Sequence, residues 1–366
     1  MAVLQHERRL DYWLPACALA LVSLGVVAIY SATRADGGDF WWKQILWLLL
    51  GVGVAMVAIL IDYRVLVRLS RPLYLGNLAL LLAVLVMGRS VMGAQRWINL
   101  GGGFRLQPSE IAKLIMIIAL AAYASTHRAS LRDFWGLCKA FLYILPPMGL
   151  ILKQPDLGTS LVLLAIWFGI MFVAGARVRH LAVIALAGLL SFATMWHTGL
   201  IKDYQKQRLV SFLDPEADPR GSGWHTIQSK IAIGSGGLTG KGLLRGTQSQ
   251  GGFIPEQQTD FINTVIGEEL GFVGSALLLL LFFGLVYRGL RIAMECDDLA
   301  GSLIAAGIVT MFTFHAFVNL GMTVHIMPVT GIPLPFLSYG GSSMLLNLTC
   351  VAVLLNINRH REDLRF

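Results

Sequence analysis

The feature that most constrains this chain is the recurrence of long apolar runs almost free of charge. Ten can be marked, at 13–33, 44–61, 72–88, 108–125, 140–152, 157–175, 181–201, 270–287, 299–324 and 340–357. A helix needs about 20 residues to cross the hydrocarbon core of a bilayer, and most of these runs approach that length. Hydrophobic residues make up 56% of the 366 and charged ones only 14%, where a soluble domain is nearer a quarter charged. The reading is an all-α polytopic membrane protein with about ten transmembrane helices. The first run follows Arg8 and Arg9 but exceeds the apolar core of a signal peptide, so it is read as a retained span.

Charge sets the expected orientation. With the N-terminus inside, cytoplasmic ends carry Arg8, Arg9, Arg64, Arg68, Arg71, Arg128, Arg132, Lys139, Arg177, Arg179, Arg288, Arg291, Arg359, Arg361 and Arg365. The short outer loops hold only Arg34, Lys43, Arg89, Arg96, Arg105 and Lys153. Fifteen cations against six is a positive-inside bias, which predicts that both termini are cytoplasmic. The net charge of +8 follows from that bias and from contact with anionic lipid, and does not point to nucleic acid. Cys17 and Cys350 fall within spans and Cys138 and Cys296 near the cytoplasmic side. Without a CxxC spacing, neither a disulfide nor a cysteine metal site is expected.

Most connections are short, but 202–269 forms one long extracytoplasmic loop that is polar and rich in glycine. A structureless loop of that length is unusual, so function or partial folding is expected there. Ile227 and Ile231, four apart, suggest a short amphipathic helix over 224–233 lying at the membrane interface, and 214–219 is a turn-rich stretch. The loop gathers Lys202, Lys206, Arg208, Arg220, Lys230, Lys241 and Arg245, which form either a solvated face or a seat for a phosphate-bearing headgroup. Residues 234–242 resemble a nucleotide P-loop only superficially. Lys241 is followed by Gly242 rather than Ser or Thr, and the segment lies on the outer side.

Charges at the edge of a span are functional candidates, because a bilayer makes them costly unless partnered. Glu110 and Lys113 open the fourth span on one helix face, behind Pro108 at a first helical position. They form either an ion pair that fixes the helix end or a polar wall of a cavity, or both. Asp156 either caps the sixth helix or meets a substrate or ion. Asp260, in Thr-Asp-Phe-Ile, is either a turn residue or a carboxylate whose apolar setting raises its pKa towards that of a useful base. The Pro- and Gly-rich stretch 328–341 favours a re-entrant segment, since irregular backbone at membrane depth must be enclosed by protein or line a cavity. His315 and His325 are poorly spaced for a metal and read better as satisfied polar residues of the bundle.

Taken together and in order, Gln-Pro-Ser-Glu-Ile-Ala-Lys (107–113), Gln-Pro-Asp-Leu-Gly-Thr (154–159), the stretches 227–238 and 246–250, Thr-Asp-Phe-Ile (259–262) and Gly-Ile-Pro-Leu-Pro-Phe-Leu-Ser-Tyr-Gly-Gly (331–341) resemble the SEDS family of bacterial shape, elongation, division and sporulation proteins. Within it, 204–208 and 227–250 look like the rod-shape branch rather than the division branch. The run Gly251-Gly252-Phe253-Ile254 departs from the bulkier apolar approach expected there.

The resemblance implies a ten-span fold in the bacterial cytoplasmic (inner) membrane and a peptidoglycan glycosyltransferase that polymerises lipid II on the outer face. It also implies a class B penicillin-binding protein transpeptidase as partner, within the elongation machinery of the cell wall. The family's essential aspartate maps onto Asp260, and its intramembrane acidic-basic pair onto Glu110 and Lys113. Asp156, Arg208, Lys230, Lys241, Gln248, Ser249, Thr259, Glu268, Ser338 and Tyr339 are expected around the substrate. The acceptor would be the 4-hydroxyl of the N-acetylglucosamine of lipid II. The donor would be the anomeric carbon of N-acetylmuramic acid on the growing chain, which leaves undecaprenyl pyrophosphate. Pyrophosphate leaves readily, so a single base suffices, unlike glycoside hydrolysis with its two carboxylates. Asp260 would take the proton, with inversion to a β-linkage. The charge on pyrophosphate calls for a divalent cation (Mg2+ or Mn2+) or for Arg208, Lys230 and Lys241. A lipid II flippase and a scaffold for the transpeptidase stand as rival readings.

Overall fold

The computed structural model describes residues 11–34, 37–91, 94–101, 104–198, 203–217 and 223–360. Arg8, Arg9, Arg361 and Arg365 of the charge argument, Lys202 and Arg220 of the loop, and Asp218-Pro219 of the turn-rich stretch lie outside the described residues. In chain order the helices are α1 (Trp13–Thr33), α2 (Phe40–Leu60), α3 (Tyr63–Arg68), α4 (Ser70–Met87), α5 (Pro108–Thr126), α6 (Phe134–Leu142), α7 (Leu145–Lys153), α8 (Leu157–Val173) and α9 (Val178–His197). After them come α10 (Asp203–Leu213), α11 (Trp224–Gly236), α12 (Thr247–Gln250), α13 (Ile262–Glu269), α14 (Gly271–Glu295), α15 (Leu299–Thr323) and α16 (Gly341–His360).

Among the described residues, 8 helices are long and apolar enough to cross a membrane. They are α1, α2, α4, α5, α9, α14, α15 and α16. The fifth run, expected as one short span at 140–152, is instead a broken pair, α6 and α7, bent by 41°. Pro146 and Pro147 explain the break, because proline lacks the N–H that a continuous helix would need. The sixth run is α8, an apolar helix of 17 residues. This is a multi-pass membrane protein. Its surface says so independently: on α9 only Leu181 is buried, while Val183, Leu186, Leu189, Leu190, Phe192 and Met195 stand exposed. Such a helix is stable in hydrocarbon and not in water.

The core is built on α15 and α16. Helix α15 packs against α14, α8 and α5, and α16 against α2. The described part of the long loop is folded, holding α10, α11, α12 and α13 between the spans α9 and α14. The helix expected at 224–233 is present and runs on to Gly236. Its packed face is the small polar one, with Ser229 and Ala232 fully buried while Ile231 is 46% exposed. Small side chains on that face let α11 lie close on α13, leaving Ile227 partly and Ile231 largely outside the protein core.

Residues 89–106, read as a short loop, instead hold three antiparallel strands, β1 (Arg89–Val91), β2 (Ala94–Gly101) and β3 (Phe104–Leu106), with Arg89 opposite Trp97 and Ile98 opposite Leu106. The stretch 328–340 is non-helical, yet Ile332, Leu334, Phe336, Leu337 and Ser338 are buried. It also reaches deep. A Cβ on Gly25 would come within 2.6 Å of the Leu337 Cα, and Gly25 lies eight residues, or about 12 Å of helix, inside the end of α1. The dip expected of this segment is present, and the absence of a side chain at Gly25 makes room for it.

Candidate functional site

The turn before α13 brings Asp260 to the end of the bundle where α5, α8 and α16 begin. Thr259 N and Asp260 N both donate to Glu256 O at 3.1 Å, and Glu256 holds a left-handed φ of 52°. A non-glycine residue in that region stores backbone strain, which surrounding structure must hold in place. Asn319 supplies part of that hold, donating from Nδ2 to Asp260 O at 2.9 Å and to Ile332 O at 2.8 Å. On the preceding residue, Gly331 with φ +70°, a Cβ would stand 3.4 Å from Asp260 Oδ2.

The half-buried Asp260 carboxyl has a raised pKa. Burial does most of this, the Glu256 carboxylate adds to it, and Arg208 and Arg96 pull back against both, with Asp156 contributing more weakly, so that the group is pushed up to about 6. These neighbours act through charge, and none of them is a hydrogen-bond partner of the carboxylate. His225 stacks on Phe261 with ring centroids 5.7 Å apart. Burial, with Arg208 nearby, holds its imidazole below the usual value, against the opposing pull of Glu256.

Two turns frame this aspartate. Arg208 on α10 donates from Nη1 to Thr330 O at 3.2 Å. Arg96 on β2 donates from Nε to Gln154 O at 2.9 Å and also to Pro155 O. Asp156 caps α8, accepting from Thr159 N at 3.1 Å and Thr159 Oγ1 at 2.9 Å. It also accepts from Gln107 Nε2 at 3.3 Å, which ties the start of α8 to the start of α5. The capping role is therefore present, in a carboxylate that also contributes to the field at Asp260.

Glu110 and Lys113 are buried on α5 and joined by Nζ to Oε1 at 2.7 Å. Lys113 Nζ lies 3.4 Å from His315 Nε2, and His315 Nδ1 lies 3.0 Å from Pro333 O. The pair thus connects through α15 to the segment that meets Asp260. His325 sits beyond the end of α15 and packs against Phe212, with centroids 5.1 Å apart.

Other predicted site residues are taken up elsewhere. Lys241 is paired with Glu268 at 2.7 Å. Glu268 also accepts from Gln248 N, Ser249 N and Ser249 Oγ, so these residues knit 241–249 onto α13. Its neighbour Glu269 accepts from Ser31 Oγ on α1 at 2.6 Å. Ser338 Oγ accepts from Leu334 N at 2.8 Å and closes the turn there, while Tyr339 N donates to Gln258 O at 2.9 Å. Thr259 Oγ1 donates to Glu256 O at 3.0 Å. Lys230 is exposed on α11. Among the described residues, no group of three His, Cys, Asp or Glu side chains could hold a metal ion.

Sequence reasoning missed Arg96, Asn319, Gln107 and Glu256. Arg96 was visible only as an outer-loop cation, and the strand-favouring Trp97 and Ile98 ahead of the glycines at 101–103 were the available sign of a strand. Asn319, an amide inside an apolar run, was open to the same argument as the buried charges.

Comparison with known proteins gives a consistent picture. Residues 12–363 match the family described as cell cycle protein, FtsW/RodA/SpoVE. A probable peptidoglycan glycosyltransferase FtsW of Trichlorobacter lovleyi is 40% identical over 95% of this chain and 93% of its own length. The peptidoglycan glycosyltransferase MrdB of Escherichia coli K12 is 40% identical over 94% of this chain and 92% of its own. A solved chain from work on polymerization and crosslinking by a peptidoglycan synthase complex aligns with a TM-score of 0.83 at 35% identity, covering 96% of this chain and 98% of that one.

Proposed function

This chain belongs to the FtsW/RodA/SpoVE family, and from that premise we propose that it is a peptidoglycan glycosyltransferase that polymerises lipid II with Asp260 as general base. The observation that carries the reading is the setting of Asp260. Its carboxyl is pushed up to about 6, so it is ionised at neutral pH yet basic enough to accept a hydroxyl proton. The 4-hydroxyl of an incoming N-acetylglucosamine loses its proton to Asp260 as its oxygen attacks the anomeric carbon of the growing chain. The bond to the pyrophosphate breaks on the opposite face, which gives inversion and a β-linkage. Negative charge then grows on the departing undecaprenyl pyrophosphate.

Arg208 and Arg96 flank the aspartate and are the cations best placed to meet that charge. Lys241, bound to Glu268, is left out of the role, and Lys230 would have to reach inwards from the surface of α11. Among the described residues no group of three side chains could hold Mg2+ or Mn2+ alone. Such an ion would take one or two carboxylates, with Asp260 and Glu256 the nearest, together with pyrophosphate oxygens, and no step is drawn through it. Glu110 and Lys113 act on the site through His315 and the 333 carbonyl. The site faces the outer side of the inner membrane with both termini inside, a reading supported by the distribution of arginine and lysine.

A class B penicillin-binding protein is the proposed partner, in keeping with the solved neighbour from a complex that coordinates polymerization and crosslinking. Membership of the rod-shape branch, acting in elongation, rests on the sequence of 204–208 and 227–250, since relatives named for either branch are equally similar.

The test is purified protein supplied with lipid II. Wild type should form glycan polymer, which neither a flippase nor a scaffold would do. Asp260→Asn should abolish the polymer while the protein stays folded, and near-normal polymer from that variant would remove Asp260 from the role of base.

A further inference from the structure

Helix α15 is apolar and largely enclosed, yet His315, Asn319 and Thr323 recur on it at intervals of four, which places them along one face. Each is committed to an element outside the helix. His315 meets Pro333 O. Thr323 accepts from Asn263 Nδ2 on α13 at 2.9 Å, and its carbonyl accepts from Ser229 Oγ on α11 at 2.6 Å. Asn319, fully buried, occupies the middle.

The amide of Asn319 has two N–H groups, and they go to two carbonyls on different segments, Asp260 O at 2.9 Å and Ile332 O at 2.8 Å. These segments meet at the carboxylate itself, because Ile332 follows Gly331, which lies against Asp260 Oδ2. The Asn319 Oδ1 has no partner among the described residues. A buried orphan acceptor forfeits its hydration with nothing in return, a poor arrangement if Asn319 served stability alone.

We propose that Asn319 is a positioning residue for glycosyl transfer, its two N–H groups clamping the Asp260 main chain to Ile332 so that the carboxylate is held over Gly331. This rests on the assignment of Asp260 as base. Helix α15 then acts as a rigid template, and the aspartate, although on a loop, is referenced to the centre of the bundle. The groups that face the clamped carboxylate are Glu256 from its own turn, Arg208 from α10, Arg96 from β2, Asp156 from the start of α8, and His225 from α11 through Phe261.

The experiment uses the purified full-length chain and lipid II, with Asn319→Leu, which keeps bulk and removes both donors, and Asn319→Ser, which keeps one donor too short to span both carbonyls. A displacement of about 1 Å costs on the order of 100-fold. Asn319→Leu should therefore lose about 100-fold in kcat with KM for lipid II little changed. The acid limb of kcat/KM should also move below that of wild type, as the released carboxylate returns towards the ordinary value near 4. Asn319→Ser should show the same split at smaller size, and it decides the matter if the leucine variant does not fold. Folded variants with wild-type kcat and acid limb overturn the proposal, as does a loss of activity that only follows the unfolded fraction. Asp260→Asn is run alongside. Should it stay active, the base assignment fails; should it be inactive while the Asn319 variants behave as wild type, only the clamp fails.

Discussion

Glu268→Gln offers a quantitative test of how the long loop is held. Burial alone would raise the pKa of Glu268, but hydrogen bonds from Gln248 N, Lys241 and Ser249 outweigh it and lower the group from 4.5 to about 2. At 1.36 kcal/mol per pH unit, that difference is about 3 kcal/mol of stability. Because the folded pKa is depressed, this contribution is complete above the unfolded value and is lost as pH falls from about 4.5 towards 2. Glutamine removes the negative charge that pairs with Lys241 and turns an NH2 towards backbone donors at Gln248 or Ser249. At pH 7 the segment 241–249 should open more easily by about 3 kcal/mol, a factor of about 100 in amide hydrogen exchange. The thermal midpoint should fall as well, and its gap from wild type should narrow as pH drops below about 4.5. Unchanged exchange at pH 7, or a gap of constant size from pH 7 to pH 3, would refute this account of the loop.

Three further outcomes are expected. Lys113→Met strands the buried Glu110 carboxylate, whose Oε2 already lacks a partner among the described residues, and should cost about 3–5 kcal/mol in thermal unfolding; the double variant with Glu110→Leu should recover most of it, and a double variant no more stable than the single would contradict the pairing. Asp260→Asn should stabilise the protein by up to about 3 kcal/mol at pH 8, because a carboxyl whose folded pKa is raised to about 6 costs nothing below the unfolded value near 4 and destabilises the fold increasingly as pH rises from there through 6. The gain should vanish below about pH 4, and its persistence there would contradict a raised pKa. The acid limb of kcat/KM should lie near pH 6, and Arg208→Gln should move it higher, since Arg208 lowers the pKa of Asp260; a limb near pH 4, or a downward shift, would count against the base.

The spans were legible because the bilayer imposes a simple rule on length and charge, and the ends of α1 and α8 fall within two residues of the marked runs. The break between α6 and α7 was only partly legible: the prolines were visible, but the run was marked as one. The three-stranded sheet over 89–106 was missed because its two outer strands have only 3 residues each and its glycines read as loop. Asp156 and the Glu110–Lys113 pair were placed correctly because cap and ion-pair geometry are local, set by spacings of three residues. Arg96, Asn319 and Glu256 could not be assigned, since what makes them matter is contact across 58 or 59 residues of chain or a backbone conformation. For α11 the isoleucine pair marked the helix but not the face that packs on the protein, which is carried by the small residues Ser229 and Ala232.

The two acidic groups of the loop whose pKa values are displaced most, Asp260 and Glu268, are moved in opposite directions, and the contrast separates their roles. Glu268 accepts hydrogen bonds from Lys241, Thr247, Gln248 and Ser249. A carboxylate so fully satisfied is a poor base and a strong fastener. Asp260 is enclosed but meets its cations through space, while its backbone carries the bond from Asn319. Its fixed main chain thus bears a carboxylate free to bond a substrate hydroxyl. Had the loop used one carboxylate for both tasks, every hydrogen bond that steadied it would have lowered its basicity. Dividing the work between two residues of the same loop removes that conflict, and it explains why the stretch 241–249 is tied so tightly to a helix that begins two residues after Asp260.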